Sequence, residues 1–131
     1  KQVIHRNMNL SYILVEEGSM TGVTDFELSE YGIRLFDPCY AATGILTENF
    51  TDQKECISRW LPLYRKILKG YDDVVHLTKE ERKAVRYVVF SIQLICTAYF
   101  SGKEKYADLA EINGRMLMRL IEHKEELCFD T

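Results

Sequence analysis

Residues 22–38 constrain the fold of this chain most, because they lead from a strand through a polar loop into a helix. The apolar run Met20–Phe26 predicts a short strand, and the carboxylate of Asp25 stands near its end. Asp37 and Pro38 are residue types that cap and open a helix, since proline lacks the N–H that the first helical turn leaves unbonded. An acid between a strand and a polar loop suits either a metal ligand or a turn former, so both roles stay open for Asp25.

The residues before this segment predict a hairpin and one more short strand. The apolar run Ser11–Glu16 is separated from the strand described above by a short turn, which Gly18 supplies. Gln2–His5 is predicted as a further strand, followed by a loop at Arg6–Leu10. Residues 27–35 show no clear hydrophobic period, so we expect a loop there.

The remaining chain predicts four or five packed helices. The first helix, which opens at the Asp-Pro pair, is expected to end near Leu46. Thr51 or Asp52 is expected to cap the second helix, whose apolar residues recur at helical spacing. Pro62 lies inside this second helix and is expected to kink or split it, and Gly70 is expected to end it.

The third and fourth predicted helices carry the clearest signals. Thr78 and Glu81 have the spacing of a capping box, which opens a helix that we expect to reach Phe100. Its apolar face is so wide that the helix is predicted to be central and nearly all buried. The last helix is expected to run from about Lys103 to Glu126, with its charged end, residues 122–126, in solvent.

Length and charge bound the class of protein. With 131 residues the chain suits one domain of the α+β class, which we divide into a hairpin region (1–34) and a helical subdomain (35–131). The net charge of −3 argues against nucleic-acid binding. No apolar run approaches the ~20 residues that span a bilayer, so we expect no membrane association.

The four cysteines favour a reducing compartment. Cys39, Cys56, Cys96 and Cys128 are far apart and show neither zinc-binding nor redox spacing. Each lies in an apolar neighbourhood, which predicts buried free thiols and a cytoplasmic location.

Two segments together resemble the C-terminal lobe of the aminoglycoside phosphotransferase and choline kinase family, which has a protein-kinase-like fold. Ile4–Gly18 (IHRNMNLSYILVEEG) is similar to the catalytic loop of that family, whose pattern is His-(Gly/Arg)-Asp, a few residues, then Asn-Ile-Leu. Gly22–Leu46 (GVTDFELSEYGIRLFDPCYAATGIL) is similar to its metal-binding Asp-Phe-Gly-type segment and the following helix. The resemblance implies phosphoryl transfer from ATP, with Mg²⁺ on the phosphates, to the hydroxyl of a small molecule.

The resemblance assigns roles to three residues that match the family pattern. Asp25 corresponds to the aspartate that holds the metal and, through it, the nucleotide. His5 corresponds to the positioning histidine of the catalytic loop, a role that a buried core histidine would fill equally. Asp37 corresponds to an aspartate that braces the catalytic loop through backbone N–H groups, which is compatible with capping a helix.

Two departures from the family pattern predict impaired catalysis. The catalytic aspartate position is Asn7, whose amide cannot accept the proton of the hydroxyl group, and general-base catalysis is worth about 10²–10⁴-fold. The metal-binding asparagine position is Tyr12, whose neutral phenol is a poor and bulky magnesium ligand. Asn7 or Asn9 could supply a replacement carbonyl oxygen, but only as a neutral ligand.

The chain begins at Lys1, directly before a strand and a polar loop, so we expect a fragment of a longer protein whose nucleotide-binding lobe precedes it. The favoured function is therefore the C-terminal lobe of a small-molecule kinase, impaired or inactive as this fragment. The alternatives are a non-catalytic, pseudokinase-like binding module, or a stable remnant without activity. The module would self-associate through the surface that the other lobe leaves exposed, with Ile13, Val15 and Val23 as candidates.

The acceptor of the phosphoryl group is not specified by the sequence. In the resembling family the acceptor pocket is built from the helical half. Candidates in this chain are Glu30, Tyr31, Arg34, Tyr40 and Trp60. Among them, Arg34 is expected to form a structural ion pair or to bind backbone carbonyls.

Overall fold

In the computed structural model, which describes residues 1–130, short strands occupy the first part of the chain and helices the rest. The strands are β1 (Gln2–Ile4), β2 (Ile13–Glu16), β3 (Ser19–Val23) and β4 (Glu30–Gly32). The helices are α1 (Phe36–Asn49), α2 (Cys56–Val75), α3 (Lys79–Ser101) and α4 (Ala107–Glu122), with 3₁₀ turns at Leu10–Tyr12 and Glu104–Tyr106. The α+β class expected from the sequence is confirmed.

The strands form two separate antiparallel pairs. The predicted hairpin is present as β2 and β3, and its turn contains Gly18 at φ +79°. The second pair joins β1 to β4, which lies within residues 27–35, so the prediction of a loop there was wrong. Residues 27–35 show no hydrophobic period because β4 forms through its pairing with β1, which is distant in sequence. Gly32 belongs to this contact, since a Cβ added there would lie 2.8 Å from Cδ1 of Ile4.

The first helix begins without the cap that the sequence predicts. Leu35 occupies the cap position and makes no side-chain capping bond, while Asp37 is the second residue of α1. The prediction that Asp37 caps the helix was therefore wrong, and its carboxylate bonds the loop after β1 instead. The helix continues to Asn49, three residues beyond the predicted end at Leu46.

The second helix is continuous and starts later than predicted. It begins at Cys56 with Glu55 at the cap position, so neither Thr51 nor Asp52 caps it. Pro62 lies inside the helix without splitting it. Because proline has no N–H, the carbonyl of Ser58 lacks its usual partner in the helix. Ser58 is exposed, so water can bond this carbonyl instead.

The end of α2 was also placed too early. The helix passes through Gly70 and ends at Val75, where His76 takes a left-handed conformation with φ +52°. A glycine in a helix interior costs about 1 kcal/mol relative to alanine. Leu68 is buried on one side of Gly70, and on the other Asp72 pairs with Arg82 at 2.9 Å, so tertiary contacts flank the glycine. The side chain of Asp72 accepts the N–H of Leu77 at 2.8 Å and so holds the turn that follows.

The predicted capping box of α3 is confirmed, but the prediction that the helix is nearly all buried was wrong. The Thr78 hydroxyl accepts from the Glu81 N–H, and the Glu81 carboxylate accepts from the Thr78 N–H. One face of α3 is in the core, whereas Leu94, Ile95 and Tyr99 are 57–60% exposed on the other. The reason is that α1 and α4, its main helical neighbours, do not surround it.

The length and composition of α3 would also allow it to cross a membrane, although the core helix of a soluble protein passes the same test.

The fourth helix is shorter than predicted at both ends. It begins at Ala107, after the 3₁₀ turn, and ends at Glu122. The charged residues 122–126 are largely exposed, as expected. The chain then returns to the core, where Leu127 and Phe129 are buried and the Leu127 carbonyl accepts the hydroxyl of Tyr64 at 2.7 Å. Leu127 and Phe129 therefore extend the core beyond the last helix.

The hydrophobic core lies among the four helices. Its fully buried members include Ala42, Leu46, Tyr64, Leu68, Val85, Val89, Met116 and Leu120. All four cysteines are free, but only Cys39 is fully buried, and the other three are partly exposed, so the prediction of four buried thiols was only partly right.

An ion pair ties the end of the strand region to the junction of α2 and α3. The guanidinium of Arg34 donates to both carboxylate oxygens of Glu81 at 2.6 and 2.7 Å, and also to the carbonyls of Val75 and His76. This is the structural role that the sequence predicts for Arg34. The hydrogen bonds from Arg34 lower the pKa of Glu81 from 4.5 to about 2.

We expect Glu81→Gln to destabilise the protein by about 1–2 kcal/mol at neutral pH, since glutamine preserves the capping box but loses the charged pair. Because the pKa of Glu81 is lowered on folding, its stabilisation is complete above pH 4.5 and is lost as the pH falls towards 2. The variant should therefore lose less stability than the wild type across that interval. Urea unfolding at several pH values measures this.

Glu80→Gln is the matched control, because Glu80 is the exposed neighbour in the same helical turn. Its free energy of unfolding should change by less than about 0.5 kcal/mol. Equal pH dependence of unfolding in the wild type and Glu81→Gln would contradict the assignment to this pair.

Candidate functional site

The loop that follows β1 is held by one carboxylate. Oδ2 of Asp37 accepts the backbone N–H of His5, and Oδ1 accepts that of Arg6, both at 2.8 Å. Hydrogen bonds to an ionised acceptor are stronger than those between neutral groups, so two consecutive peptide units are fixed relative to α1. This geometry is the loop-bracing contact that the family resemblance implies for Asp37.

The ring of His5 connects this loop to the segment that contains Asp25. Nδ1 of His5 accepts the N–H of Asn7 at 3.1 Å, and Nε2 lies 2.8 Å from the carbonyl oxygen of Thr24. Since Nδ1 accepts, Nε2 must carry the proton and donate it to that carbonyl. The ring is buried and packs edge-on against Phe26 with centroids 4.8 Å apart. His5 therefore positions backbone on both sides of the site.

Two residues at the site have backbone conformations that are unusual outside glycine. Arg6 has φ +71° and Asp25 has φ +64°, both in the left-handed region. Such residues persist when surrounding contacts hold them, and they are frequent at functional sites. Here Asp37 holds the N–H of Arg6, while the His5 ring holds the carbonyl of Thr24, directly before Asp25.

Asn7, Tyr12 and Asp25 lie together. The charge of the Asp25 carboxylate raises the pKa of the Tyr12 hydroxyl, and the Asn7 amide acts in the opposite direction, so the three side chains are near one another. The backbone fixes this contact, because the Tyr12 carbonyl accepts the Thr24 N–H at 2.9 Å.

The side-chain oxygen of Asn7 is already occupied. It accepts the amide N–H of Asn9 at 2.9 Å and the hydroxyl of Tyr40 at 3.1 Å. Burial raises the pKa of Tyr40, so this hydroxyl remains a donor at neutral pH. As a neutral amide, Asn7 can orient a hydroxyl group but cannot take its proton.

Asp25 is the carboxylate with the largest effect on Tyr12, and Glu27 contributes a smaller one. Magnesium is usually held by one or two carboxylates together with the phosphates of its substrate, so Asp25 fits as a single anchor. Tyr12 and Asn7 add neutral oxygen or nitrogen atoms. Among residues 1–130 there is no group of three or more histidine, cysteine or acidic side chains that could hold a metal ion without a substrate.

Most of the candidate acceptor residues lie elsewhere or are engaged in structural contacts. Arg34 is paired with Glu81, and Glu30 pairs with Arg6 at 3.2 Å. Trp60 is buried and donates its ring N–H to the Ala42 carbonyl, and Tyr31 is 70% exposed. Tyr40 is the member of this set that reaches the site, through Asn7.

Sequence reasoning missed the part that Thr24 plays. Its carbonyl accepts from His5 and its N–H donates to Tyr12, so it links both loops through the backbone alone. Its position directly before Asp25 was the only signal in the sequence, since backbone contacts leave no side-chain pattern.

Comparison with protein-family models, curated proteins and solved structures found no match to this chain. The fold and the site define an α+β protein in which two loops, residues 5–12 and 24–26, are joined by one histidine ring and braced by one helix carboxylate. The family resemblance stays a prediction.

We expect Asp37→Asn to loosen the loop selectively, because an amide presents its NH₂ group to one of the two N–H donors. The cost should be about 1–3 kcal/mol. Backbone amide exchange at His5 and Arg6, followed by NMR, should then accelerate by about tenfold or more.

Asp73→Asn is the control for this change. Asp73 is exposed and pairs with Lys69 on the surface of α2, where loss of the pair should cost less than about 0.5 kcal/mol. If exchange at residues 5 and 6 is the same in Asp37→Asn as in the wild type, the carboxylate does not hold the loop.

Proposed function

We propose that this chain is the C-terminal lobe of an aminoglycoside phosphotransferase-like small-molecule kinase whose catalysis is impaired. The observation that carries the proposal is the bond pattern of Asp37, whose two oxygens accept the N–H groups of His5 and Arg6. The resemblance assigns this contact to the aspartate that opens the helix after the metal-binding segment. The contact joins residues far apart in sequence, so it is independent support for that correspondence.

The arrangement around Asp25 supports the same proposal. In the resembling family a catalytic-loop residue and the later aspartate share one cleft. Here Asn7 and Asp25 both act on the pKa of the Tyr12 hydroxyl, so both are near it. On this proposal Asp25 would hold Mg²⁺, which would neutralise charge on the nucleotide phosphates. The nucleotide itself would need a second lobe, supplied by a longer protein.

The contacts of Asn7 and Tyr12 explain why catalysis would be impaired. The phosphoryl acceptor would have to lose its proton to residue 7, and the amide there has no basic lone pair. The side-chain oxygen of Asn7 accepts from Asn9 and Tyr40, so it faces internal donors. The Asp25 carboxylate raises the pKa of the Tyr12 hydroxyl, so the phenol is close enough that it would compete with a metal ion for that carboxylate.

We expect the double change Asn7→Asp with Tyr12→Asn to restore activity in the protein translated from the full reading frame. An aspartate at residue 7 keeps the acceptor for Asn9 and Tyr40 and adds a proton acceptor, while asparagine at residue 12 frees Asp25. Magnesium-dependent ATP turnover, measured with a panel of small alcohols and amino alcohols, should rise by about 10²-fold or more.

Ser11→Asp is the matched control, since it places a carboxylate at an exposed position of the same loop without replacing the amide of Asn7. It should leave turnover at the wild-type level. Mg-ATP binding by both variants is also measured, by equilibrium titration. If the full-length protein binds no Mg-ATP, the kinase proposal fails whatever the turnover measurements give.

A second candidate function is a non-catalytic, pseudokinase-like module that associates with a second copy of itself. The β2–β3 hairpin favours it, because the hairpin is a two-stranded sheet with free edges. Val15 and Met20 face each other across this hairpin and are 64% and 65% exposed. Ile13 and Val23, the other predicted candidates, are partly buried.

If the hairpin mediates self-association, the apparent mass in light scattering should rise with concentration in the wild type. The double variant Val15→Lys with Met20→Glu should remain at the mass of one chain, since opposite charges preserve the cross-strand pair but oppose burial. Val74→Lys, at a 78% exposed position near the end of α2, should behave like the wild type. A wild-type mass that does not change with concentration would exclude this candidate.

A further inference from the structure

A cavity of about 300 Å³ lies between the end of α1 and the beginning of α2, beside the loop that joins them. Its size is at the lower end of the range for small-molecule sites, so it suits a compact ligand. Its apolar walls are formed by Ile45, Leu46, Trp60 and Leu63.

The cavity is separate from the candidate site around Asp25. Leu46 and Asn49, which line it, lie on the side of α1 away from Gly44. Gly44 is the α1 residue beside the loop of residues 5–12, since a Cβ added there would lie 4.0 Å from the side-chain oxygen of Asn9.

Arg59 is the charged residue of this lining, which contains no acidic side chain among the described residues. Within residues 1–130 its guanidinium makes no ion pair and no hydrogen bond. Every other arginine is held by a partner. Carboxylates pair with Arg6, Arg34, Arg82, Arg86, Arg115 and Arg119, and the carbonyl of Glu126 accepts from Arg65. The unpaired arginine therefore coincides with a cavity that offers it no counter-charge.

Helical spacing turns Arg59 towards the cavity. Cys56, Arg59, Trp60 and Leu63 follow the spacing i, i+3, i+4 and i+7 on α2, which places them on one face, and all four line the cavity. The arginine is thus flanked by apolar side chains, over which its own methylene stem can pack.

Other N–H donors of the lining are already used. The ring N–H of Trp60 donates to the Ala42 carbonyl, and the side-chain amide of Asn49 donates to the Ile45 carbonyl, both at 2.8 Å. Hydrogen bonds from a charged donor are stronger than those from a neutral one. The guanidinium is therefore the strongest donor that the cavity leaves to a ligand.

The chemistry of the lining selects the ligand. A carboxylate can accept two parallel N–H groups from one guanidinium, whereas a cation would be repelled by it. The apolar walls gain free energy only if the ligand also carries a hydrocarbon part, which a simple inorganic anion lacks.

We propose that this cavity binds a small monocarboxylate with an apolar body. Its carboxylate accepts from the guanidinium of Arg59, and its hydrocarbon part packs against Leu46, Trp60 and Leu63. The proposal concerns binding alone and does not depend on the chain being a phosphotransferase.

The test is an NMR titration of the whole chain with hexanoate, 1-hexanol, n-hexylammonium and acetate. The first three probes share their length and differ in charge, whereas acetate keeps the carboxylate without the chain. We expect hexanoate to bind at least tenfold more tightly than each of the others. The indole N–H of Trp60, the single tryptophan, should shift on binding. Affinity for 1-hexanol or acetate equal to that for hexanoate would overturn the proposal, and so would the absence of hexanoate binding.

Arg59→Gln tests the charge at an exposed position, so it should not disturb the core. It should weaken hexanoate binding at least tenfold and leave 1-hexanol binding unchanged. Lys66→Gln is the matched control, because it removes the same charge from an exposed position of α2 outside the cavity. Unchanged hexanoate affinity in Arg59→Gln, or an equal loss in Lys66→Gln, would overturn the proposal.

Leu63→Ser tests the apolar wall. It should weaken the binding of hexanoate about threefold or more and leave the weak binding of acetate unchanged, because acetate has no chain to lose contact. Val74→Ser, at an exposed position of α2 outside the cavity, is its control. Hexanoate affinity that is the same in Leu63→Ser and in the wild type would show that the carboxylate binds elsewhere.

Discussion

The carboxylate of Asp37 is the contact on which the rest of the site depends. Asp37 is the second residue of α1, and the neighbouring Pro38 and Cys39 are buried, so the helical core fixes its position. Its two hydrogen bonds hold the backbone of His5 and Arg6 against α1. The His5 ring in turn bonds the carbonyl of Thr24, the residue directly before Asp25. One acid thus relates two loops to the core, although it is not among the groups that would do chemistry.

This dependence explains what the sequence could and could not predict. The capping box of α3 and the β2–β3 hairpin were predictable because each rests on residues close together in sequence. The role of Asp37 as a helix cap was a reasonable local inference, but its carboxylate is used over 30 residues away, at the loop after β1. β4 and the true end of α2 were missed for the same reason: pairing with β1 and burial around Asp72 decide them.

The sequence predicted some residues of the candidate site but not the hydrogen bonds between them. The resemblance pointed to Asn7, Tyr12 and Asp25, which lie together.

On the kinase proposal, the amide of Asn7 and the phenol of Tyr12 are physically coupled, because together they would remove a negative charge and a metal ligand from the same place. A carboxylate at residue 7 near Asp25 would create like-charge repulsion, which in a working kinase the bound metal ion offsets. With an amide at residue 7 and a phenol at residue 12, the donors of Asn9 and Tyr40 bond the oxygen of Asn7, and the Asp25 carboxylate raises the pKa of the nearby Tyr12 hydroxyl. On the kinase proposal, a base restored at residue 7 alone would leave the phenol of Tyr12 beside Asp25, so both positions must change together.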